Sequence, residues 1–133
     1  VWVAGENAGV RHWNGSAWAT NTPSVGTNFF QSVLAVAASD AWASDVSPGK
    51  ETAHWNGSKW TLFAASTSGW NSMSALSSTD IWGAGGNHIG HWNGTAWTAE
   101  TPPGTSPTLW SVTTRPGNAW VVGNSGLIGH RTF

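Results

Sequence analysis

Histidine is the residue type in this sequence best suited to metal binding or proton transfer, and four of the five histidines recur at equivalent positions. His12, His54 and His91 each precede Trp-Asn-Gly, and His130 aligns with them. Neutral imidazole is a common metal ligand and a common general base. Equivalent positions of successive repeats lie far apart, so we expect these four residues to be structural rather than ligands of one ion. His88 is predicted to lie on the opposite pleat face of a strand from His91, which also argues against chelation.

The sequence offers few residues that are suited to catalysis. The sequence contains no Cys, which removes thiolate nucleophiles and thiolate metal sites. Asp40 and Asp80 align with Asn118, and all three are expected at hairpin turns, where Asp and Asn bond to the local backbone. No two acidic residues form a matched pair that could divide the general acid and general base roles. We therefore predict a protein that is not an enzyme and that uses no metal or cofactor.

Charge and hydropathy exclude two classes of partner. Five Lys and Arg against six Asp and Glu give a net charge of −1, and only 8% of the residues are charged. Because there is no basic stripe to neutralise phosphates, nucleic acid is not expected as a partner. No apolar run approaches the roughly 18 to 20 residues of a membrane-spanning helix, so membrane insertion is not expected either.

The elements that must position these residues are repeated, and tryptophan marks the repeat. Three His-Trp-Asn-Gly strings are spaced by 42 and 37 residues, and each is followed by a further tryptophan, namely Trp18, Trp60 and Trp97. A second marker, a small or aliphatic residue followed by tryptophan, is spaced by 40, 40 and 38 residues, at Trp2, Trp42, Trp82 and Trp120. Ten of the twelve tryptophans therefore belong to a repeat of about 40 residues.

Each repeat is typical of four short antiparallel strands, which we label a to d. The Asn-Gly pair that begins at Asn14 favours a two-residue hairpin turn between strands c and d. In that register Trp13 would face Ser16 and Trp18 would face Arg11, with both indoles on one face of the sheet. A three-residue loop with a bulge is the alternative, and it would change these partners.

Four strands in about 40 residues match a β-propeller blade. The predicted order is b-c-d, then a-b-c-d twice, then a-b-c, within a single repeat domain, 1–133. The approximate blades are 1–28 (partial), 29–68, 69–107 and 108–133 (partial). A closed propeller has at least four blades. The chain is therefore a fragment of a longer chain, a four-bladed ring with two incomplete blades, or part of an oligomeric ring. The alternative fold is a β-trefoil, which has three repeats of about 40 residues.

The repeat resembles a family of bacterial extracellular β-propeller proteins with blades of the form AWAVG…HWNG(S/T)xW. The matching strings are the three His-Trp-Asn-Gly boxes and the segments 41–43, 81–85 and 119–123. The turn box is also similar, more loosely, to that of Trp-rich propeller lectins. The resemblance implies a propeller fold and a location outside the cell or at its surface.

The candidate ligand-binding residues are those that depart from the repeat at the start of strand a. Phe30, Trp70 and the residue before Trp110 align, and they are followed by Gln31, Asn71 and Trp110. Indole faces stack on the apolar face of a pyranose while amides bind its hydroxyls. The alternative is that the aromatic rings fill the wedge between adjacent blades.

The predicted function is a non-catalytic binding module, lectin-like, with carbohydrate bound in inter-blade aromatic pockets. The alternative is a structural or self-assembling propeller fragment, or a protein–protein interaction module without a small ligand. The predicted partners are accordingly a glycan, further copies of the chain, or the remainder of a longer propeller chain.

Overall fold

The computed structural model of the chain describes residues 1–5, 9–21, 30–46, 51–64, 69–100, 102 and 108–133. These residues form fourteen β-strands and one 3-10 turn at Asn124–Gly126, and no α-helix occurs among them. The strands are β1 Trp2–Gly5, β2 Gly9–Trp13, β3 Trp18–Thr20, β4 Phe30–Ala37, β5 Asp40–Asp45, β6 Glu51–Trp55, β7 Trp60–Ala64, β8 Ser72–Ser77, β9 Asp80–Gly85, β10 His88–Trp92, β11 Trp97–Glu100, β12 Leu109–Arg115, β13 Asn118–Gly123 and β14 Ile128–Thr132. Within the described part of the chain, no helix is long and apolar enough to span a bilayer.

The strands form four separate antiparallel sheets, in which neighbours in the chain are neighbours in the sheet. The first sheet is β1-β2-β3, the second β4-β5-β6-β7, the third β8-β9-β10-β11 and the fourth β12-β13-β14. This is the predicted all-β order of three strands, four, four and three. Each sheet lies inside one predicted blade. The predicted boundaries near 28, 68 and 107 fall on or beside segments outside the described residues, and they stay predictions.

The hairpin between strands c and d has a longer turn than predicted. Trp13 pairs directly with Trp18, so four residues, not two, connect the strands. The Asn14 Oδ1 atom accepts hydrogen bonds from the backbone N–H groups of Ser16 and Ala17, both at 2.9 Å. The turn is therefore closed by an asparagine side chain. The predicted pairing with Ser16 and Arg11 is wrong, although the two indoles do share one face of the sheet. The other two hairpins pair their tryptophans in the same way.

The repeated histidine is fixed by two neighbours in its own sheet. It stacks on the tryptophan opposite it on strand b, with ring centroids 4.3 to 4.9 Å apart. In three sheets its Nε2 atom lies 2.8 to 2.9 Å from the side-chain oxygen of Asp40, Asp80 or Asn118. Each of these three residues directly follows the two turn residues and begins a strand. Asn118 makes the predicted bond to the local backbone, because its Nδ2 group donates to the Pro116 carbonyl oxygen at 3.4 Å, whereas the contact of Asp40 and Asp80 with histidine is not part of the prediction.

Successive sheets pack against each other, and each contact buries one apolar cluster. The clusters between the first and second, second and third, and third and fourth sheets include respectively Trp2, Val10 and Phe30; Trp42, Trp70 and Trp92; and Trp82, Leu109 and Val121. We call the face of a sheet that looks toward the following sheet its rear face, and the opposite face its front face. In the first and second sheets the strand-b tryptophan lies on the rear face and packs on the tryptophan pair of the next front face. In the third sheet Trp82 packs on Phe133 and Arg131.

Candidate functional site

The predicted site residues lie where the first strand of each later sheet begins. These strands, β4, β8 and β12, are neighbours in the structure, and we call them the inner strands. In β4 a bulge separates Phe30 from Ser32, and in β12 a bulge separates Leu109 from Ser111. Gln31 and Trp110 are therefore the extra residues of two equivalent bulges. A bulge redirects the side chain of its extra residue, and both of these side chains are exposed.

Two of the predicted ligand-stacking rings have no free face. Phe30 is 2% exposed and Trp70 is fully buried. The Trp70 indole fills a slot between the second and third sheets, where it covers Gly83 and Gly90. Both rings fill the space between adjacent sheets, as the wedge-filling alternative predicts. We therefore do not assign either ring a role in stacking on a ligand.

The third candidate ring, that of Trp110, is exposed to solvent. Trp110 is 51% exposed, and its Nε1–H donates a hydrogen bond of 2.6 Å to the Oδ1 atom of Asn124. Asn124 begins the 3-10 turn between β13 and β14. The indole is therefore held in one orientation by a neighbouring connection of its own sheet while one of its surfaces faces solvent.

Polar side chains of the third sheet contact the two residues that flank Trp110 in the chain. The Nδ2 group of Asn71 donates a hydrogen bond of 2.8 Å to the carbonyl oxygen of Leu109, the residue before Trp110. The hydroxyl oxygens of Ser72 and Ser111 lie 3.5 Å apart. The structure thus brings together Asn71 and Trp110. Gln31 lies on β4, and within the described residues no hydrogen bond joins it to either of them.

The side chains of this site carry no formal charge, and three acidic side chains elsewhere in the described part of the chain are already paired. Asp40 and Asp80 accept hydrogen bonds from strand-c histidines, and Glu100 pairs with Arg131. Among the described residues, no three His, Asp or Glu side chains are grouped so as to hold a metal ion. The arrangement suits recognition of a neutral polar ligand by stacking and hydrogen bonding.

Two clefts lie elsewhere on the molecule. One, of about 100 Å³, lies between the third and fourth sheets and is lined by Trp82, Val121 and Arg131, among others. It is smaller than the roughly 300 Å³ at which ligand pockets begin. The other, of about 560 Å³, is bounded by Val1, His12 and Ala37. Because Val1 is the first residue of the sequence, we assign no ligand to that cleft.

Sequence reasoning missed two contacts. Asn124 was not a candidate, because nothing in the repeat places it beside Trp110. The bond between Asp40 and His54 could have been inferred from the repeat. Two residues before a strand-b tryptophan the sequence has Asp40, Asp80 or Asn118. Each of these tryptophans pairs with a repeated histidine. Two side chains that recur together in opposed strands are a signal of contact.

Comparison with known proteins places the fold. No family model and no curated protein matches the chain. Among solved structures the chain is similar to "YCF48 bound to D1 peptide", with a TM-score of 0.59 and 17% sequence identity. The likeness covers 76% of this chain and 36% of that chain. At this identity it concerns the fold alone. YCF48 is a β-propeller, so the four sheets described above form a β-propeller-like fold.

Proposed function

We propose that this chain is a non-catalytic binding module and that it holds an uncharged carbohydrate against Trp110. The observation that carries the proposal is the half-exposed indole whose orientation is fixed by Asn124. A ring that is already ordered loses little conformational freedom when a ligand stacks on it. Asn71 and Ser72 contact the residues on either side of Trp110 in the chain, so amide and hydroxyl groups accompany the indole, which matches the mixture of apolar faces and hydroxyl groups on a sugar.

The absence of catalysis in this proposal rests on how the described acids and histidines are used. The histidine–acid pairs are repeated from sheet to sheet, and in the fourth sheet Asn118 replaces the acid without loss of the contact. An amide oxygen can only accept a hydrogen bond, so the His130 Nε2 atom is the donor there. A contact that works equally well with a neutral partner supports a structural role rather than proton transfer.

An extended peptide is the second candidate ligand. The fold neighbour is a propeller with a bound peptide, and an indole beside amide groups also suits a peptide backbone. The same proposal takes the fold to be a propeller rather than a trefoil, because the four sheets pack in chain order through equivalent faces. Membership of the bacterial repeat family and a location outside the cell or at its surface belong to this proposal as well.

The test is a glycan array followed by isothermal titration calorimetry of the best glycan. We expect Trp110→Ala to weaken binding at least tenfold, about 1.4 kcal/mol, with almost no change in thermal stability because the ring is exposed. Asn124→Ala retains the indole but frees its orientation, and it should weaken binding less. Trp18→Ala is the matched control, because Trp18 is 48% exposed and lies in the first sheet.

Two outcomes would overturn the carbohydrate assignment. Silence against a broad glycan array would do so, and so would equal binding by the Trp110→Ala variant and the parent chain. Binding of peptides from an array, lost in Trp110→Ala and kept in Trp18→Ala, would transfer the site to the second candidate ligand.

A further inference from the structure

Two asparagine side chains are bonded to Trp110 and to the residue before it, and both amides have a fixed orientation. The indole Nε1–H of Trp110 is a donor only, so the Asn124 atom that faces it at 2.6 Å is the oxygen, Oδ1. The Leu109 carbonyl is an acceptor only, so the Asn71 atom that faces it at 2.8 Å is the nitrogen, Nδ2. Rotation of either amide by a half-turn would set two donors or two acceptors against each other. We call Asn71 and Asn124 the amide pair.

Each member of the amide pair has one polar group left for a ligand. Within the described part of the chain, no further protein group bonds to the Asn71 Oδ1 atom or to the Asn124 Nδ2 group. Asn71 is half-buried and Asn124 is exposed. Because the two groups bonded to the protein are opposite in type, the two remaining groups are opposite as well. The pair therefore presents an acceptor on Asn71 and a donor on Asn124.

Asn124 is held in place by its backbone as well as by its side chain. Its N–H donates to the Thr108 carbonyl at 2.9 Å, and its carbonyl accepts from the Leu127 N–H at 3.1 Å. Thr108 directly precedes β12, the strand that carries Trp110. The 3-10 turn and the bulge are therefore joined at two points, and the amide donor keeps its position relative to the indole. A polar group that is already fixed loses little freedom when a ligand binds.

The residue after Asn124 gives a second reason to assign a function to this turn. Ser125 has φ +57° and ψ +30°, and among the residues that the structure describes it is the one non-glycine residue with a positive φ. A serine in this left-handed region is strained, and such residues cluster at ligand-binding sites, where the surrounding structure enforces them. Here the strained residue lies in the turn that carries the amide donor.

We propose that the amide pair selects the ligand at Trp110, and that this ligand is a neutral pyranose with free hydroxyl groups. The inference rests on the function proposed above, because it concerns the same site. One hydroxyl group of the sugar donates to the Asn71 Oδ1 atom, and another accepts from the Asn124 Nδ2 group, while the sugar ring lies on the indole. A hydroxyl group both donates and accepts, so a sugar satisfies both amides with one kind of group.

The same polarity disfavours an acidic sugar. An ionised carboxylate only accepts hydrogen bonds, so it offers nothing to the Asn71 oxygen, which is also an acceptor. A negative group also needs a cation, and the side chains of the site are uncharged, while Arg131 of the same sheet is paired with Glu100. Glycans that end in an acidic sugar should therefore bind more weakly than neutral glycans.

The test uses Asn124→Asp, which removes the amide donor but keeps an oxygen that receives the indole N–H. We expect this variant to bind the strongest neutral glycan of a glycan array about tenfold more weakly than the parent chain, by isothermal titration calorimetry. The indole N–H of Trp110, identified in nuclear magnetic resonance spectra by its absence from Trp110→Ala, should stay protected from hydrogen exchange because its acceptor remains. A residue that only positions the indole would show the same protection without the loss of affinity.

Asn93→Asp is the matched control. The Asn93 Oδ1 atom also accepts hydrogen bonds, from the backbone N–H groups of Thr95 and Ala96. The substitution therefore keeps an acceptor and adds the same negative charge, but it does so in a hairpin turn of the third sheet. The affinity of this variant for the glycan should equal that of the parent chain.

The results separate this inference from the proposed function. If Trp110→Ala loses binding while Asn124→Asp binds like the parent chain, the amide pair does not select the ligand, although the site at Trp110 stands. Tighter binding of acidic than of neutral glycans overturns the inference in the same way. If Trp110→Ala binds like the parent chain, or if no glycan binds, the proposed function fails and this inference fails with it.

Discussion

Trp70 occupies a slot that exists only because two residues of the third sheet have no side chain. A Cβ atom on Gly83 would lie 2.5 Å from the indole Cγ and Cδ2 atoms, and a Cβ atom on Gly90 would overlap the six-membered ring. The ring is fully buried and its backbone N–H donates a hydrogen bond of 2.6 Å to the Ser44 hydroxyl, so it has little room to retreat.

We therefore expect Gly90→Ala to destabilise the fold strongly. Overpacking of a close-packed core costs about 1 to 3 kcal/mol, and a clash with a fully buried ring favours the upper value. For a chain of this length about 3 kcal/mol corresponds to a fall of about 10 °C in the midpoint of thermal unfolding. Gly5→Ala is the matched control, because Gly5 also lies in a strand and a Cβ atom there would have no neighbour within 4 Å. Alanine is preferred over glycine in a strand interior by about 0.5 to 1 kcal/mol, so the control should be slightly stabilised.

The assay is denaturant unfolding followed by circular dichroism, combined in a double-mutant cycle. Trp70→Leu alone opens a cavity and should cost about 2 to 4 kcal/mol. In that background Gly90→Ala has no ring to meet, so its own cost should vanish and the coupling between the two positions should approach about 3 kcal/mol. If Gly90→Ala is as stable as Gly5→Ala, the packing argument is wrong, and Trp70 becomes free again to act as a ligand platform.

Two further predictions concern the repeated turns and strand ends. Asp40→Ala should cost about 1 to 2 kcal/mol, because it leaves a half-buried histidine without its partner, whereas Asp40→Asn should change stability by less than about 0.5 kcal/mol, since Asn118 makes the same contact in the fourth sheet. Chemical denaturation of the two variants checks this difference. Gly57→Ala should lower the unfolding midpoint more than Gly15→Ala. Both glycines have positive φ, +94° and +108°, but only at Gly57 would the new Cβ atom lie 2.8 Å from the Ser39 side chain. Equal midpoints would show that backbone strain alone decides the cost.

The sequence was sufficient for the strand order because the information lies in the repeat. Each His-Trp string and each strand-b tryptophan recurs at nearly constant spacing, so an alignment of the chain with itself defines fourteen strands without any structure. The two-residue turn predicted at Asn14 is wrong for a local reason. Asn-Gly favours two quite different turns, and the choice between them depends on whether Trp13 and Trp18 gain more by pairing directly, which is a property of the packed sheet.

The burial of the candidate ligand-binding rings could not be predicted from single positions in the sequence. Phe30, Trp70 and Leu109 are aligned aromatic or apolar residues, and each is buried. What differs is the face of its own sheet that each ring covers: Phe30 clusters with Ala43 and Ala53, whereas Trp70 lies on two glycines. The larger ring is matched by smaller neighbours, as close packing requires. That compensation becomes visible in the sequence only after the register between strands b and c is known.

The high tryptophan content therefore has two separate physical causes, and they locate function differently. Tryptophans that obey the repeat pack one sheet against the next, as Trp2 and Trp42 do. Trp110 breaks the repeat and is the half-exposed extra residue of a bulge, at which the aligned residue of β4 is Gln31. The Trp110 indole is also held in one orientation by its hydrogen bond to Asn124, and it is this combination of exposure and order on which the proposed ligand site rests. The repeated tryptophans are thus explained by packing between sheets, and the exposed indole at the bulge is the one that the proposed binding function uses.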